Sequence, residues 1–226
     1  MKLKCISQEG LKIIACLTML IDHIGATVLP LPELRMIGRL AFPIFCYLLV
    51  EGVHHTRKPL RYVIRLALGA LLSELPFDLL FSGRFTWESQ SVMLTLLLGF
   101  GMVYLMSRAE KQMYKLLYIL PFAFAADLLK TDYAGYGILV IAVFALTRHM
   151  RGSIALQTLL LAWLFWGMNS IPVTLFGIQF PIQLLGVAAM LPIWLYSGRK
   201  STASKVVQWG FYLFYPLHIL LLYFLK

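Results

Sequence analysis

The sequence predicts an all-α polytopic membrane protein, a bundle of about nine transmembrane helices, and three observations support this prediction. Of the 226 residues, 60% are hydrophobic and only 13% are charged, with a mean hydropathy of +0.80. A single soluble core could not bury that much apolar side chain. Long apolar runs recur along the whole chain, and the basic residues concentrate in alternate breaks between them. We therefore expect lipid as the solvent of most side chains.

Nine apolar runs approach the length of about 20 residues that crosses a bilayer core. Several have only about 15 to 17 residues, so eight or ten helices are the alternatives. The breaks are short, and the chain has no Gly/Ser linker or internal repeat, so we expect one domain over 1–226. The predicted helices are residues 11–30, 35–53, 61–81, 91–106, 114–129, 133–147, 154–168, 180–196 and 206–225.

Three of these elements have unusual features. The first run follows basic residues, as in a signal peptide, but Asp22-His23 interrupts it and no small-residue cleavage site follows, so we interpret it as a helix. The third and ninth runs contain Pro76 and Pro216, which remove a backbone donor and are expected to kink their helices. Segment 167–180 is uncharged and punctuated by Gly and Pro, which makes it a candidate re-entrant segment.

The basic residues define a topology, because loops rich in Lys and Arg stay in the cytoplasm. Fifteen of the 20 lie on one side if nine helices cross the membrane, which predicts a cytoplasmic N-terminus and an external C-terminus. A nucleic-acid partner is disfavoured, because no soluble domain carries the net charge of +10. The fifteen are Lys2, Lys4, Lys12, Arg57, Lys58, Arg61, Arg65, Arg108, Lys111, Lys115, Arg148, Arg151, Arg199, Lys200 and Lys205.

Several ionisable side chains lie inside the predicted spans, where each costs about 2.5 kcal/mol or more unless it has a partner or a function. Counted from the cytoplasmic entry of their helices, four of them lie at a similar depth of roughly 18 Å at 1.5 Å per residue. Arg39 can reach the same layer from the outer side, and a cation such as Arg39 between Glu74 and Asp78 would let both carboxylates stay ionised. The four are His23, Glu74, Asp127 and His218.

His23 is the candidate general base of this layer, because it titrates near neutral pH and adjoins Asp22. Lys12 precedes it by eleven residues, about three helical turns, and so shares its helix face at the cytoplasmic mouth. Arg57, Lys58, Arg61 and Arg65 could grip phosphates at that mouth or merely set the topology. The structural alternative for each polar residue is a hydrogen bond between helices, and we favour it for Asp22, Glu51 and Asp127.

Cysteine and histidine spacing predicts neither a disulfide framework nor a metal site. The three cysteines, Cys5, Cys16 and Cys46, are odd in number and lie in or near apolar segments. No pair of Cys or His residues has metal-ligand spacing.

Four blocks of the sequence resemble the TraX family over nearly the whole chain. They are Leu-Ile-Asp-His-Ile-Gly at 20–25, Ile-Gly-Arg-Leu-Ala-Phe-Pro-Ile-Phe-Cys-Tyr-Leu-Leu-Val-Glu-Gly at 37–52, Leu-Ser-Glu-Leu-Pro-Phe-Asp at 72–78 and Phe-Tyr-Leu-Phe-Tyr-Pro-Leu-His at 211–218. The family takes its name from a conjugal-transfer protein that N-acetylates the N-terminal Ala of F-type pilin. It is thought to belong to a wider group of transmembrane acyltransferases, in which an Arg precedes a catalytic His by eleven positions.

The resemblance implies a bacterial inner-membrane acyltransferase with acetyl-CoA as donor substrate and no permanently bound cofactor. Its acceptor would be a peptide or pilin N-terminus or a surface glycan hydroxyl on the outer side. Lys12 occupies the Arg position and His23 the His position, and Lys lacks the bidentate fork that grips phosphate. Together with the polar layer and the basic mouth, this gives His23, Asp22, Glu74, Asp78 and His218 as the expected catalytic residues. The residues expected to bind substrate are Arg39, Lys12, Arg57, Lys58, Arg61 and Arg65.

Two other classes of function fit the same residues. A proton- or ion-coupled secondary transporter or flippase also uses carboxylates and His in broken helices, although the lack of an internal repeat argues against it. A scaffold subunit of a secretion or pilus machine would need none of the polar residues for chemistry. Acetyl transfer by the purified protein would exclude a pure carrier, and loss of function in a correctly assembled His23 variant would exclude a scaffold.

Overall fold

The computed structural model describes residues 5–150, 153–168, 170–175, 177–199 and 204–226, with main chain only at Gln112 and Lys205. The basic residues Lys2, Lys4, Arg151 and Lys200 of the predicted topology lie outside this part of the chain. The described chain is largely helical. Its α-helices are α1 Gln8–Thr27, α2 Pro32–Gly38, α3 Ala41–His55, α4 Pro59–Ser82, α5 Val92–Arg108, α6 Gln112–Leu117, α7 Ile119–Leu128, α8 Ala134–Thr147, α9 Ser153–Gly167, α10 Met190–Trp194 and α11 Lys205–Leu225.

Each of the nine predicted runs coincides with helical structure, but three of them are divided. The run 114–129 becomes α6 and α7, and the run 180–196 becomes a 3-10 helix, Ile182–Ala189, followed by α10. The run 35–53 breaks at Arg39 and Leu40 between α2 and α3. Pro43 explains this break, because its ring excludes the carbonyl of Arg39, four residues earlier, from the hydrogen bond of a continuous helix.

The prediction of an all-α fold is corrected by one β-hairpin. Strand β1, Pro172–Leu175, pairs antiparallel with β2, Ile178–Pro181, inside the segment considered as re-entrant. Gly177 lies in the turn with φ of 77°, a left-handed conformation that glycine adopts without steric cost. Asn169 and Phe176 of that segment lie outside the described residues. The hairpin satisfies part of its own backbone hydrogen bonding, which a single irregular segment cannot do.

The chain divides into two compact units, each made of two separate segments of the sequence. Unit one contains Met1–Leu48 and Thr147–Phe211, and unit two contains Leu49–Leu146 and Tyr212–Lys226. The expected single domain over 1–226 stays a prediction.

Unit one packs α1 against α2 and the 3-10 helix against α2 and α9. The strand-like residue Ile6 pairs with Tyr196 just after α10, and Ser7 caps α1 by accepting from the Gly10 amide at 3.1 Å. The core of the unit is apolar and includes Leu11, Ala15, Ile44, Leu161 and Phe165.

Unit two is built around α5, whose residues are buried on several faces. Gly99 lets α8 approach, because a Cβ there would overlap the Ile141 side chain. Helix α4 packs along α5, starts at Pro59 and ends at Gly83, which has φ of 69° and closes the helix in the left-handed conformation. Pro76 and Pro216 lie inside continuous helices, α4 and α11.

Large apolar side chains point outward on both units, as expected in a lipid solvent. Trp163 is 73% exposed on α9, and Leu120 is 74% exposed on α7. A water-soluble protein rarely exposes apolar side chains on this scale. Within the described part of the chain, three helices are long and apolar enough to cross a membrane, Gln8–Thr27, Pro32–His55 taken through its break, and Val206–Leu225. By length and composition these are transmembrane helices, as in a membrane protein.

Candidate functional site

Asp22 is the centre of a buried ion network in unit one. It projects from α1 and is only 7% exposed. Its Oδ2 accepts from Arg35 Nη1 at 2.8 Å, and its Oδ1 forms a short contact with Arg39 Nη2. Arg39 lies at the break between α2 and α3, is 9% exposed, and donates from Nε to the Arg35 carbonyl at 3.2 Å. Buried charges paired and hydrogen-bonded in this way are costly to separate.

Two glycines bring α1 and α2 close enough for these contacts. A Cβ at Gly38 would overlap the Asp22 side chain, and a Cβ at Gly25 would come within 2.6 Å of Leu34 Cβ. Only glycine fits at such an approach between helices. The sequence block around Gly38-Arg39 is thus explained by packing as well as by charge.

Gln183 completes the network. It was not predicted from the sequence. Its Oε1 accepts from Arg39 Nη1 at 3.1 Å, and its side chain belongs to the 3-10 helix. A neutral amide carries no formal charge, so it did not stand out among the ionisable residues. The available signal was an amide side chain inside the apolar run 180–196.

His23 and Lys12 both lie on α1. His23 is half-buried, and its carbonyl accepts from the Thr27 hydroxyl at 2.7 Å. The Lys12 ammonium lies 5.1 Å from the centre of the Phe211 ring, a cation–π contact. Their eleven-residue separation corresponds to about 16 Å along the helix axis.

Glu74 and Asp78 lie one turn apart on α4 in unit two, and each binds the segment that leads into α5. Both Glu74 carboxylate oxygens accept from the Ser91 amide, at 3.3 and 3.2 Å, and Oε1 accepts from the Ser91 hydroxyl at 2.7 Å. Ser91 is the N-cap of α5, so the Glu74 carboxylate takes the place of an intrahelical cap at a positive helix end. Asp78 Oδ2 accepts from the Thr86 amide at 3.0 Å.

His218 is buried in α11 with a defined ring orientation. Its Nδ1 lies 2.7 Å from the Phe214 carbonyl, and its ring stacks on the Phe214 ring at 4.8 Å between centres. A carbonyl only accepts hydrogen bonds, so Nδ1 carries a proton and Nε2 of the neutral ring has the lone pair.

Arg65, near the start of α4, contacts the rings of two tyrosines. Its guanidinium carbon is 5.8 Å from the Tyr62 ring centre and 5.3 Å from that of Tyr212. Arg57, Lys58 and Arg61 are exposed. The basic run of the sequence thus contains one guanidinium held by aromatic rings beside three exposed cations.

Arg39 forms an ion pair with Asp22 of α1. The two α4 carboxylates accept main-chain amides. The expected placement of Arg39 between Glu74 and Asp78 stays a prediction, since Arg39 belongs to one unit and the two carboxylates to the other. Asp127 accepts from the Gly135 amide at 2.7 Å, a turn contact of the structural kind that we favoured for it. The common depth of the four residues stays a prediction, since they belong to two units.

Comparison with known proteins assigns the chain to a family. Residues 7–226 match the family described as TraX protein. The probable fimbrial assembly protein FimC, serogroup H1, of Dichelobacter nodosus is 30% identical over 236 residues, covering 96% of this chain and 94% of that protein. No solved structure matches the chain. With the family pattern extending over nearly its whole length, this chain is a member of the TraX family.

Proposed function

We propose that this protein is an acyltransferase embedded in the bacterial inner membrane. It moves an acetyl group from cytoplasmic acetyl-CoA to an acceptor on the outer side, either the N-terminal amine of a pilin or fimbrial subunit or a glycan hydroxyl. The match to the TraX family over residues 7–226 is the observation that carries this proposal. The similarity to a protein named for fimbrial assembly supports an acceptor of that kind.

The proposed topology has nine membrane crossings with the N-terminus inside and the C-terminus outside. The 15 to 5 distribution of Lys and Arg between the two sides supports it. In this arrangement Lys12 and the start of α4 lie at the cytoplasmic surface, where acetyl-CoA is available. The external ends of α1 and α4 then face the acceptor.

In the proposed reaction His23 acts as general base. It removes a proton from the acceptor amine while the amine nitrogen attacks the thioester carbonyl carbon and the carbonyl electrons move to oxygen. Collapse of that intermediate restores the carbonyl, breaks the C–S bond, and releases CoA as a thiol that takes the proton. His218 is the alternative base, because the hydrogen bond at its Nδ1 leaves the lone pair on Nε2.

The basic residues of α1 and α4 would bind the phosphates of the donor. Arg65 supports this role best, because its contacts with two tyrosine rings limit the rotamer entropy that its side chain loses on binding. Lys12, Arg57, Lys58 and Arg61 add positive charge at the same predicted surface.

Mass spectrometry of cell-surface proteins and peptides tests the proposal in the native host. Cells with the wild-type chain should contain one or more surface products heavier by one acetyl group than those of cells lacking it. Cells producing the His23→Ala variant at equal abundance should resemble the deletion. An unchanged acetylation pattern after deletion would reject the proposed activity.

A secondary transporter is the second candidate, and Asp78 is the observation that favours it. This carboxyl group is 2% exposed, and its Oδ1 has no hydrogen-bond partner among the described residues. Buried carboxyl groups of this kind carry protons or ions in transporters. Acetyl transfer by purified protein in detergent, where no gradient exists, would exclude a pure carrier.

A further inference from the structure

The side-chain amide of Gln183 is buried, with its oxygen hydrogen-bonded and its nitrogen not. The residue is only 2% exposed, and Arg39 Nη1 donates to its Oε1. This bond fixes the orientation of the amide, because an arginine donates and only the carbonyl oxygen of Gln accepts. Its Nε2 has no hydrogen-bond partner among the described residues. A buried donor without a hydrogen-bond partner is energetically costly.

The surroundings hold this donor rigidly beside positive charge. Arg39 is fixed by Asp22 and by the Arg35 carbonyl, so it cannot follow a movement of Gln183. On the other side, Gly186 brings the 3-10 helix against Arg39, because a Cβ there would lie 3.2 Å from the Arg39 carbonyl oxygen and 3.0 Å from the Phe165 ring. A 3-10 helix of eight residues is longer than usual.

A second buried glutamine in unit one shows what an ordinary structural role looks like. Gln157 on α9 is 5% exposed, and its Nε2 donates to the Thr147 hydroxyl at 2.8 Å. The two residues share burial and side-chain type but differ in whether the amide nitrogen is used. The difference points to a ligand atom that accepts a hydrogen bond at Gln183.

We propose that Gln183 Nε2 donates a hydrogen bond to the carbonyl oxygen of the acyl group during transfer, which rests on the proposed acyltransferase function. That oxygen gains a negative charge when the amine nitrogen attacks and the C–N bond forms. It loses the charge when the C–S bond breaks and the thiol leaves with the proton taken from the amine. A rigid donor next to a guanidinium stabilises the charge where it develops. Gln183 is then a catalytic residue, and Arg39 is a positioning residue that fixes the orientation of the Gln183 side-chain amide.

The test compares Gln183→Met with Gln157→Met in purified full-length protein, with labelled acetyl-CoA and an acceptor peptide bearing a free N-terminal amine. Methionine keeps the length and burial of the side chain and removes the donor. Gln183→Met should lower kcat about 10²- to 10³-fold, the effect of deleting one oxyanion donor, with little change in the KM for acetyl-CoA. Gln157→Met should leave kcat within about threefold of wild type.

A second variant keeps the proposal testable if Gln183→Met does not fold. Gln183→Glu preserves size and the contact with Arg39 but presents a carboxylate to the developing negative charge, so it should lose at least as much kcat as the Met variant. A folded Gln183 variant with wild-type kcat, or one that changes only KM, would overturn the assignment while leaving acyl transfer intact. An inactive wild-type protein would overturn both this assignment and the proposed function.

Discussion

Asp22 is bound by two arginines, so its removal leaves the buried guanidinium of Arg39 and the partly buried guanidinium of Arg35 without their carboxylate. We predict that Asp22→Asn lowers the free energy of unfolding in detergent by about 3–5 kcal/mol, the usual result of breaking a buried pair from one side. Glu88→Gln is the control, because Glu88 is an exposed carboxylate. That change should cost less than about 1 kcal/mol. Equal losses in the two variants would show that the Asp22 network contributes no more than an exposed carboxylate.

His23 is the residue on which the proposed chemistry depends. His23→Ala should fold and bind acetyl-CoA as the wild type does, because the residue is only half-buried, but transfer acetyl about 10² to 10⁴ times more slowly. Single-turnover transfer at matched donor binding measures this, with His218→Ala as the comparison. Wild-type turnover in His23→Ala together with loss in His218→Ala would assign the base to α11.

The packing of α1 on α2 depends on Gly38, which meets the Asp22 side chain directly. We predict that Gly38→Ala displaces α2, weakens the Asp22–Arg39 pair, and lowers both the melting temperature and the transfer rate. Gly210→Ala in α11 is the matched control, because a Cβ there meets nothing within 4 Å. Since Ala is favoured over Gly inside a helix by about 1 kcal/mol, the control should be neutral or slightly stabilising. A stable and active Gly38→Ala variant would contradict the close approach of α2 to α1 at this position.

Hydropathy located the helical runs but not their divisions. Runs of apolar residues show that a segment lies in lipid or in a core, whereas the break at Arg39 depends on a single residue, Pro43. The β-hairpin could not be predicted, because two four-residue strands inside an apolar segment have no distinctive period. The role of Ser91 was hidden for a similar reason, since a helix cap becomes visible only when Glu74 is folded against it.

The charged residues of the site could be predicted from the sequence, whereas the neutral residue that completes it could not. Asp22, His23 and Arg39 stood out because ionisable residues are rare in membrane spans. Gln183 did not, although it binds Arg39 as directly as Asp22 does. A structural partner was the favoured reading of Asp22, and its ion pair with Arg39 is a contact of that kind.

The topology of the whole molecule follows from the alternation of basic loops. Reporter fusions after Lys130 and at the C-terminus should be active on the outer side, and fusions within 107–113 and 197–205 should report the cytoplasm. Lys130 lies in the tight turn between α7 and α8 with φ of 53°, so the junction interrupts no helix. Part of 197–205 lies outside the described residues. A cytoplasmic C-terminal reporter would mean an even number of crossings.

Transfer across a bilayer is the central claim, and sealed vesicles test it most directly. Purified protein is inserted in lipid vesicles with an acceptor peptide trapped inside and labelled acetyl-CoA, which cannot cross the bilayer, added outside. We predict label on the trapped peptide with the wild-type protein and almost none with His23→Ala at equal insertion. Label confined to acceptor added on the same side as acetyl-CoA, or equal labelling by the two proteins, would contradict it.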